Sequence, residues 1–236
     1  MTARSRLSSL AKAAVRLPAA LLRERQSAFF GAARRWSNRE VARIAHLFDS
    51  PIVNVSAWAD SDKEGRDYRD YFRSGGDYWI TNFGTSQGEM QGREDEFYLD
   101  LEKPLPDEHR RRFATVFNHT TLEHVWDFKT AFANMCEMSN DAVLIIVPWL
   151  QPQHSDYGDY WRFSPQAMVR LFEEQSMTVV HLDWNRDPRQ SVYVLAVGVR
   201  DPVKWAGKFA KRPLASSDPD FFTLPADFPG RGAFDL

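Results

Sequence analysis

The segment from Thr115 to Asp183 constrains the fold more than any other part of the chain. It contains two apolar, strand-like runs, and each run is followed by a polar segment. The first polar segment is Asn118–His124, and the second is the aromatic-rich loop Gln151–Arg162. Because ligands bind outside the carboxyl ends of the strands in an open α/β sheet, we expect both segments to line one binding site.

Strand-like and helical patterns alternate from residue 37 onward, which predicts an α/β fold. Ser37-Asn38-Arg39-Glu40 is a capping-box pattern and predicts that a helix begins there. The last two strands follow one another without a helix, so we expect them to pair antiparallel. The predicted architecture is a Rossmann-like, doubly wound sheet of seven strands, mostly parallel, with an antiparallel strand at the end. The predicted strands are Ile52–Val55, Tyr78–Thr81, Phe97–Leu99, Thr115–Phe117, Val143–Val147, Val179–Leu182 and Val192–Val199.

The composition of the chain disfavours several classes of protein. The 236 residues carry a formal net charge of -2, which does not favour a nucleic-acid partner. The single cysteine, Cys136, excludes an internal disulfide and a cysteine metal cluster. The longest apolar run, Ala142–Leu150, is far shorter than the roughly 20 residues of a membrane-spanning helix. We therefore expect a soluble, cytoplasmic protein.

The first 40 residues are basic, with nine Lys and Arg residues against Glu24 and Glu40. Two interpretations stay open: a helix that frays or lies on the domain, and a basic amphipathic segment at the anionic inner face of a membrane. The tail after Asp201 is rich in Pro, Asp and Phe and shows no periodicity. The predicted organisation is therefore a basic segment (1–36), one main domain (37–205) and a loop-rich tail (206–236).

Three short segments carry a resemblance to a known family. They are Thr121-Leu122-Glu123-His124-Val125, Ile146-Val147-Pro148, and Asp159-Tyr160-Trp161-Arg162-Phe163-Ser164-Pro165. In this order and spacing the chain resembles the class I S-adenosylmethionine-dependent methyltransferases, and among them the small enzymes of bacterial polysaccharide and lipopolysaccharide biosynthesis. The resemblance implies S-adenosylmethionine as cofactor and O-methylation of a sugar or another small hydroxylated acceptor. The cofactor contacts it implies are Val55, Ser56, Ala57, Asn82, Asp100, Leu101, Asn118, Thr120 and Glu123.

Two of these contacts depart from the family pattern. The turn after the first strand, Ser56-Ala57-Trp58, has no glycine, and the second strand ends in Asn82 where relatives have a carboxylate. We therefore predict weakened cofactor binding and expect Asn82→Asp to tighten it. The alternative is a non-catalytic methyltransferase-like domain that acts as an assembly or regulatory subunit. That alternative predicts that Trp58 or Phe83 fills the cofactor cleft.

The second polar loop is the predicted acceptor site. The resemblance implies that His154 acts as general base, since an imidazole suits the deprotonation of a hydroxyl. Tyr157, Tyr160 and Trp161 either stack on a sugar ring or close the rim of the domain. No metal site is predicted, because the histidines are scattered along the sequence. The predicted substrate contacts are His124, Asp159, Tyr160 and Arg162. Simpler interpretations stay open for two pairs. Asp159 and Arg162 could form a structural ion pair, and Glu123 and His124 could simply open a helix.

Overall fold

The computed structural model describes residues 19–72, 76–84, 90–154, 158–186, 191–209 and 215–217. Three α-helices and seven strands form these parts of the chain. The helices are α1 (Ala19–Ile44), α2 (Phe128–Met138) and α3 (Pro165–Glu174). The strands are β1 (Ile52–Val55), β2 (Tyr78–Asn82), β3 (Glu96–Tyr98), β4 (Phe113–His119), β5 (Ser139–Leu150), β6 (Thr178–Trp184) and β7 (Val192–Val199).

All seven strands belong to one sheet, in the order β3-β2-β1-β4-β5-β7-β6. The first five strands are parallel to one another, whereas β7 runs antiparallel between β5 and β6. This architecture confirms the predicted Rossmann-like, seven-stranded sheet. The order of the strands along the chain reverses between β1 and β4, where Val55 pairs with Asn118. Ligands bind at such a switch point in this class of sheet.

Hydrophobic residues cover both faces of the sheet. Helices α2 and α3 pack on one face, where Phe132 and Phe172 meet with ring centroids 4.9 Å apart. Helix α1 packs on the other face together with Trp205, which is 2% exposed. Helix α3 begins as predicted, since Ser164 caps its N-terminus by accepting a hydrogen bond from the Ala167 amide. Cys136 is buried in α2.

The capping-box prediction at Ser37 is wrong, because α1 is continuous from Ala19 to Ile44. The Ser37 hydroxyl donates to the carbonyl of Arg34, one turn earlier, and also lies 2.8 Å from Nε2 of His119. The proposed boundary between residues 36 and 37 therefore falls inside a helix. The Ala33 side chain on the N-terminal side of that boundary is fully buried in the core.

A second local prediction is also wrong. Glu123 and His124 do not open α2 but lie in a separate 3-10 turn, Leu122–His124, and α2 begins only at Phe128. Asp127 caps α2 by accepting from the Thr130 amide. Beyond β7, Trp205 donates to the Asp141 carboxylate, while most of the predicted tail (206–236) lies outside the described residues. No helix in the described ranges is long and apolar enough to cross a membrane.

Candidate functional site

The carboxyl ends of β1 and β4 are joined through Asn118. Its Nδ2 donates to the carbonyl of Val55, at 2.8 Å, and to the hydroxyl of Thr121, at 2.9 Å. Its Oδ1 is buried and has no hydrogen-bond partner among the described residues. A buried acceptor without a donor costs free energy, so this oxygen marks a place where a ligand donor would be stabilising.

The backbone turns sharply after β4 and places Glu123 inside the protein. Thr120 has a φ of 53°, and its amide donates to the carbonyl of Ile146 on β5. Glu123 is fully buried, and neither carboxylate oxygen has a hydrogen-bond partner within the described ranges. Burial raises the pKa of Glu123 to about 8, so the neutral acid predominates at pH 7.

The two polar segments of the sequence form one structural unit. The amides of Tyr160 and Trp161 donate to the carbonyl of Glu123, at 2.7 and 3.3 Å. The indole N–H of Trp161 lies 3.1 Å from the carbonyls of Val125 and Trp126. The loop after β5 is thereby fastened to the turn after β4, as the expectation of a shared site requires. Tyr157 lies outside the described residues.

Asp159 and Arg162 hold this loop in shape. The guanidinium donates to both Asp159 oxygens and to the carbonyls of Gln151, Pro152 and Trp161. These five contacts match the five N–H donors of an arginine, so a substrate would have to displace one of them. The ion pair holds the pKa of Asp159 down at about 2. The geometry therefore favours the structural interpretation of this pair over direct substrate binding.

Asp159 also orients His154. It accepts from the His154 backbone amide, at 2.8 Å, and its Oδ2 lies 3.2 Å from Nδ1 of the imidazole. His124 approaches from the turn after β4, with the two imidazole centroids 5.2 Å apart. Partial burial lowers the pKa of both histidines, which keeps both rings neutral at pH 7. His124, His154 and Glu123 thus converge at the carboxyl ends of β4 and β5.

Arg34 is a partly buried residue of this region that the sequence did not single out. It reaches from α1 to the end of β4, where it contacts the Tyr68 hydroxyl, Nδ1 of His119 and the Thr120 hydroxyl. The guanidinium can only donate, so His119 Nδ1 is the acceptor and its Nε2–H points to Ser37. The basic composition of residues 1–36 does not distinguish Arg34 from the other arginines there. Only its contacts with β4 do so.

The turn after β1 uses positive φ angles without glycine. Ser56 has a φ of 54° and Trp58 a φ of 52°, and both lie in the left-handed region. The turn is hydrogen-bonded to the end of β2 through Asn82. The Trp58 amide donates to Oδ1 of Asn82, and Nδ2 of Asn82 donates to the Trp58 carbonyl and to Glu96. Asn82 is 3% exposed and its amide is fully engaged. A ribose contact by Asn82 would have to replace one of these bonds.

The two side chains that the non-catalytic alternative predicts to fill the cofactor cleft, Trp58 and Phe83, are not buried. Trp58 and Phe83 are 62% and 51% exposed. Beyond β3, Asp100 is partly exposed and caps a turn by accepting from the Glu102 amide, and Leu101 is buried. Two cavities, of about 940 and 490 Å³, lie beside α1, the second of them at the carboxyl end of β6. They are lined by α1 together with residues of 66–78 in the first case and 183–186 in the second.

Solved structures share this fold. Magnesium protoporphyrin IX methyltransferase (ChlM) from Synechocystis PCC 6803, crystallised with S-adenosylhomocysteine, aligns over 71% of this chain and 83% of its own, at 8% identity and a TM-score of 0.50. A protein from Bacillus halodurans C-125 assigned as a methyltransferase aligns over 69% and 99%, at 9% identity and a TM-score of 0.50. No protein-family model and no curated protein matches the sequence. The chain therefore has the fold of class I methyltransferases.

Proposed function

We propose that the protein is an S-adenosylmethionine-dependent methyltransferase that acts on a hydroxyl group of a small acceptor or glycan. The observation that carries this proposal is the set of buried acceptors at the switch point of a methyltransferase-type sheet. Asn118 Oδ1 and both Glu123 oxygens have no donor among the described residues. A cofactor with an ammonium group and a sulfonium centre offers the donors and positive charge that these atoms lack. The residues at β4 therefore fit the cofactor.

In this proposal the cofactor supplies an already activated methyl group, and the protein supplies orientation and proton removal. Val55, Ser56 and Ala57 would line the cofactor from β1, while Asn118, Thr120 and Glu123 would contact it from β4. Asp100 and Leu101 would lie beside its adenine ring. Asn82 is the least suitable contact because its amide is engaged by Trp58 and Glu96.

The acceptor would bind over the loop after β5. Tyr160 and Trp126 are 50% and 65% exposed, and their rings meet edge to face with centroids 5.3 Å apart. Exposed aromatic rings beside a polar cluster suit the apolar face of a sugar. His154 would remove the hydroxyl proton, with His124 beside it and Asp159 and Arg162 holding its loop. We further propose that the reaction belongs to bacterial polysaccharide biosynthesis. We also propose that the exposed Arg35 and Arg39 contact an anionic membrane surface.

Calorimetry with S-adenosylmethionine and S-adenosylhomocysteine tests the cofactor. We expect binding by the native protein and at least about tenfold weaker binding by Asn118→Ala, which removes the unpartnered acceptor. Asn140→Ala, at an exposed asparagine far from the switch point, is the control and should bind like the native protein. Absence of binding at millimolar cofactor would contradict the proposal.

His154→Ala tests the general base. We expect turnover with a hydroxylated acceptor to fall by about 10²–10⁴-fold while cofactor affinity stays nearly unchanged, since the residue acts only in proton transfer. His46→Ala, at an exposed histidine of the short helical turn after α1, is the control. Comparable turnover in His154→Ala and His46→Ala would remove the assignment.

A second candidate is the non-catalytic subunit. One observation favours it: the turn after β1 and the end of β2 bond to each other through Asn82, where a cofactor ribose would need the same groups. In that case neither cofactor nor its product should bind, and Asn118→Ala should change only stability. The calorimetry above separates the two candidates.

A further inference from the structure

Glu123, His124 and His154 come from two different loops but share one small volume. One potential ligand atom from each of the three side chains lies within 4.8 Å of the other two. Glu123 Oε1 and His124 Nε2 lie 3.6 Å apart. Two imidazoles and one carboxylate form a donor set typical of zinc and other divalent first-row metals.

Both imidazoles are held through Nδ1. His124 Nδ1 lies 2.5 Å from the carbonyl oxygen of Gly158, which can only accept, so the proton is on Nδ1 and the lone pair of the neutral ring is on Nε2. His154 Nδ1 lies 3.2 Å from the Asp159 carboxylate, which selects the same tautomer. Histidine ligands of metals are usually oriented this way by a carbonyl or carboxylate.

Glu123 supplies an independent indication of a ligand. Its carboxylate is fully buried, faces His124, and has no hydrogen bond from any described residue. An ionised carboxylate in such a place is costly unless it is paired or coordinates a metal. The nearby positive charges do not fill this role, since Arg162 is matched by Asp159 and Arg34 bonds to Tyr68, His119 and Thr120.

We propose that Glu123, His124 and His154 bind one divalent transition-metal ion through a carboxylate oxygen and two Nε2 atoms. Tetrahedral coordination at about 2.0–2.1 Å places neighbouring ligand atoms about 3.3 Å apart, so the loop carrying His154 would move inward by roughly 1 Å. A single carboxylate and the nearby Arg34 disfavour Mg²⁺, which prefers oxygen ligands. Coordination would take up the lone pair that His154 needs as a base and the Glu123 carboxylate that the proposed function assigns to the cofactor, so a bound ion would inhibit methyl transfer.

Titration of the full-length, chelator-treated protein with Zn²⁺ tests the site, with the free ion buffered by a competing chelator. The binding measurement does not depend on methyl transfer, so its failure would leave the proposed function standing. We expect one tight site in the native protein. Glu123→Gln and His154→Ala should each weaken it by at least about 10-fold, the lower end of the loss seen when outer-shell partners are removed. Mg²⁺ at the same concentrations should not compete.

His46→Ala is the matched control because His46 is an exposed histidine outside the cluster. It should bind Zn²⁺ like the native protein. Glu123→Gln keeps the volume of the buried side chain, so it remains informative even if His154→Ala fails to fold. Native-like Zn²⁺ binding by Glu123→Gln, an equal loss in His46→Ala, or no tight site in the native protein would each overturn the proposal.

Discussion

Glu123 combines complete burial with a carboxylate that no described residue satisfies. Its pKa is raised to about 8 in the folded protein, against a value near 4.5 for an exposed glutamate. The folded state therefore binds more protons than the unfolded state between these two values. By linkage, the contribution of Glu123 to stability falls as the pH rises from about 4.5 to about 8.

Glu123→Gln should remove this pH dependence. In the presence of a chelator, we expect the variant to be about as stable as the native protein near pH 5 and more stable, by a few kcal/mol, near pH 8, because the amide has no charge to desolvate. Urea unfolding across this pH range provides the measurement. Glu137→Gln, at a glutamate on the exposed part of α2, is the control; a pH-independent difference for Glu123→Gln would contradict the assignment.

At the scale of elements, the turn after β1 depends on the amide of Asn82. Sequence reasoning predicted that Asn82→Asp would tighten cofactor binding, but Nδ2 donates to Glu96, at 2.6 Å, and to the Trp58 carbonyl. An aspartate would replace this donor with an acceptor and place two carboxylates together. The structure therefore predicts that this substitution lowers the stability of the fold, while its effect on cofactor affinity stays a prediction.

We expect Asn82→Asp to destabilise the protein by about 2 kcal/mol at pH 8, and by less near pH 5, where one of the two carboxyls can be protonated. Asn140→Asp is the control, because Asn140 is exposed and its side chain makes one bond, to the Arg111 carbonyl. Thermal unfolding at both pH values is the measurement. Equal stability of Asn82→Asp and the native protein would show that the turn does not depend on this amide.

Gly158 links the two loops of the site. Its φ is +120°, and an added Cβ would lie 2.8 Å from the Tyr160 ring, while its carbonyl accepts from His124. Gly158→Ala should therefore cost about 1–3 kcal/mol and disturb the His124 contact. Gly65→Ala is the matched control, since Gly65 also has a positive φ, +98°, but an added Cβ would meet nothing within 4 Å. Urea unfolding should show the larger loss for Gly158→Ala; equal losses would mean that crowding by Tyr160 is unimportant.

At the scale of the whole molecule, the part of α1 from residue 31 onward packs on the sheet. Arg34 donates to three groups at the end of β4 and in the neighbouring loop, and Ala33 is buried. Arg35, the next residue, is exposed. Two adjacent arginines of the basic N-terminal segment therefore have different environments: Arg34 bonds within the fold, and Arg35 faces solvent.

Arg34→Ala should destabilise the protein by about 3 kcal/mol, because it removes three hydrogen bonds, to Tyr68, His119 and Thr120, from a largely buried network. Arg35→Ala should change the free energy of unfolding by no more than about 0.5 kcal/mol, as is usual for an exposed side chain. Chemical denaturation of both variants measures the contrast. A similar, small effect in both would mean that α1 is not anchored through Arg34.

The sequence alone determined the strands, their approximate bounds and the fold class, because apolar runs and capping residues act locally. Ile52–Val55 and Val192–Val199 have the predicted bounds, and Ser164 caps α3 as its position indicates. The same residues also located the two polar segments at one edge of the sheet.

Only the tertiary structure decided that α1 runs through Ser37, since its contact with His119 joins residues 82 positions apart. It likewise decided that Glu123 has no donor among the described residues, that the Asn82 amide is engaged and that Arg34 bonds to the end of β4. Each of these depends on which non-local groups surround a side chain, and no pattern of neighbours along the chain carries that information.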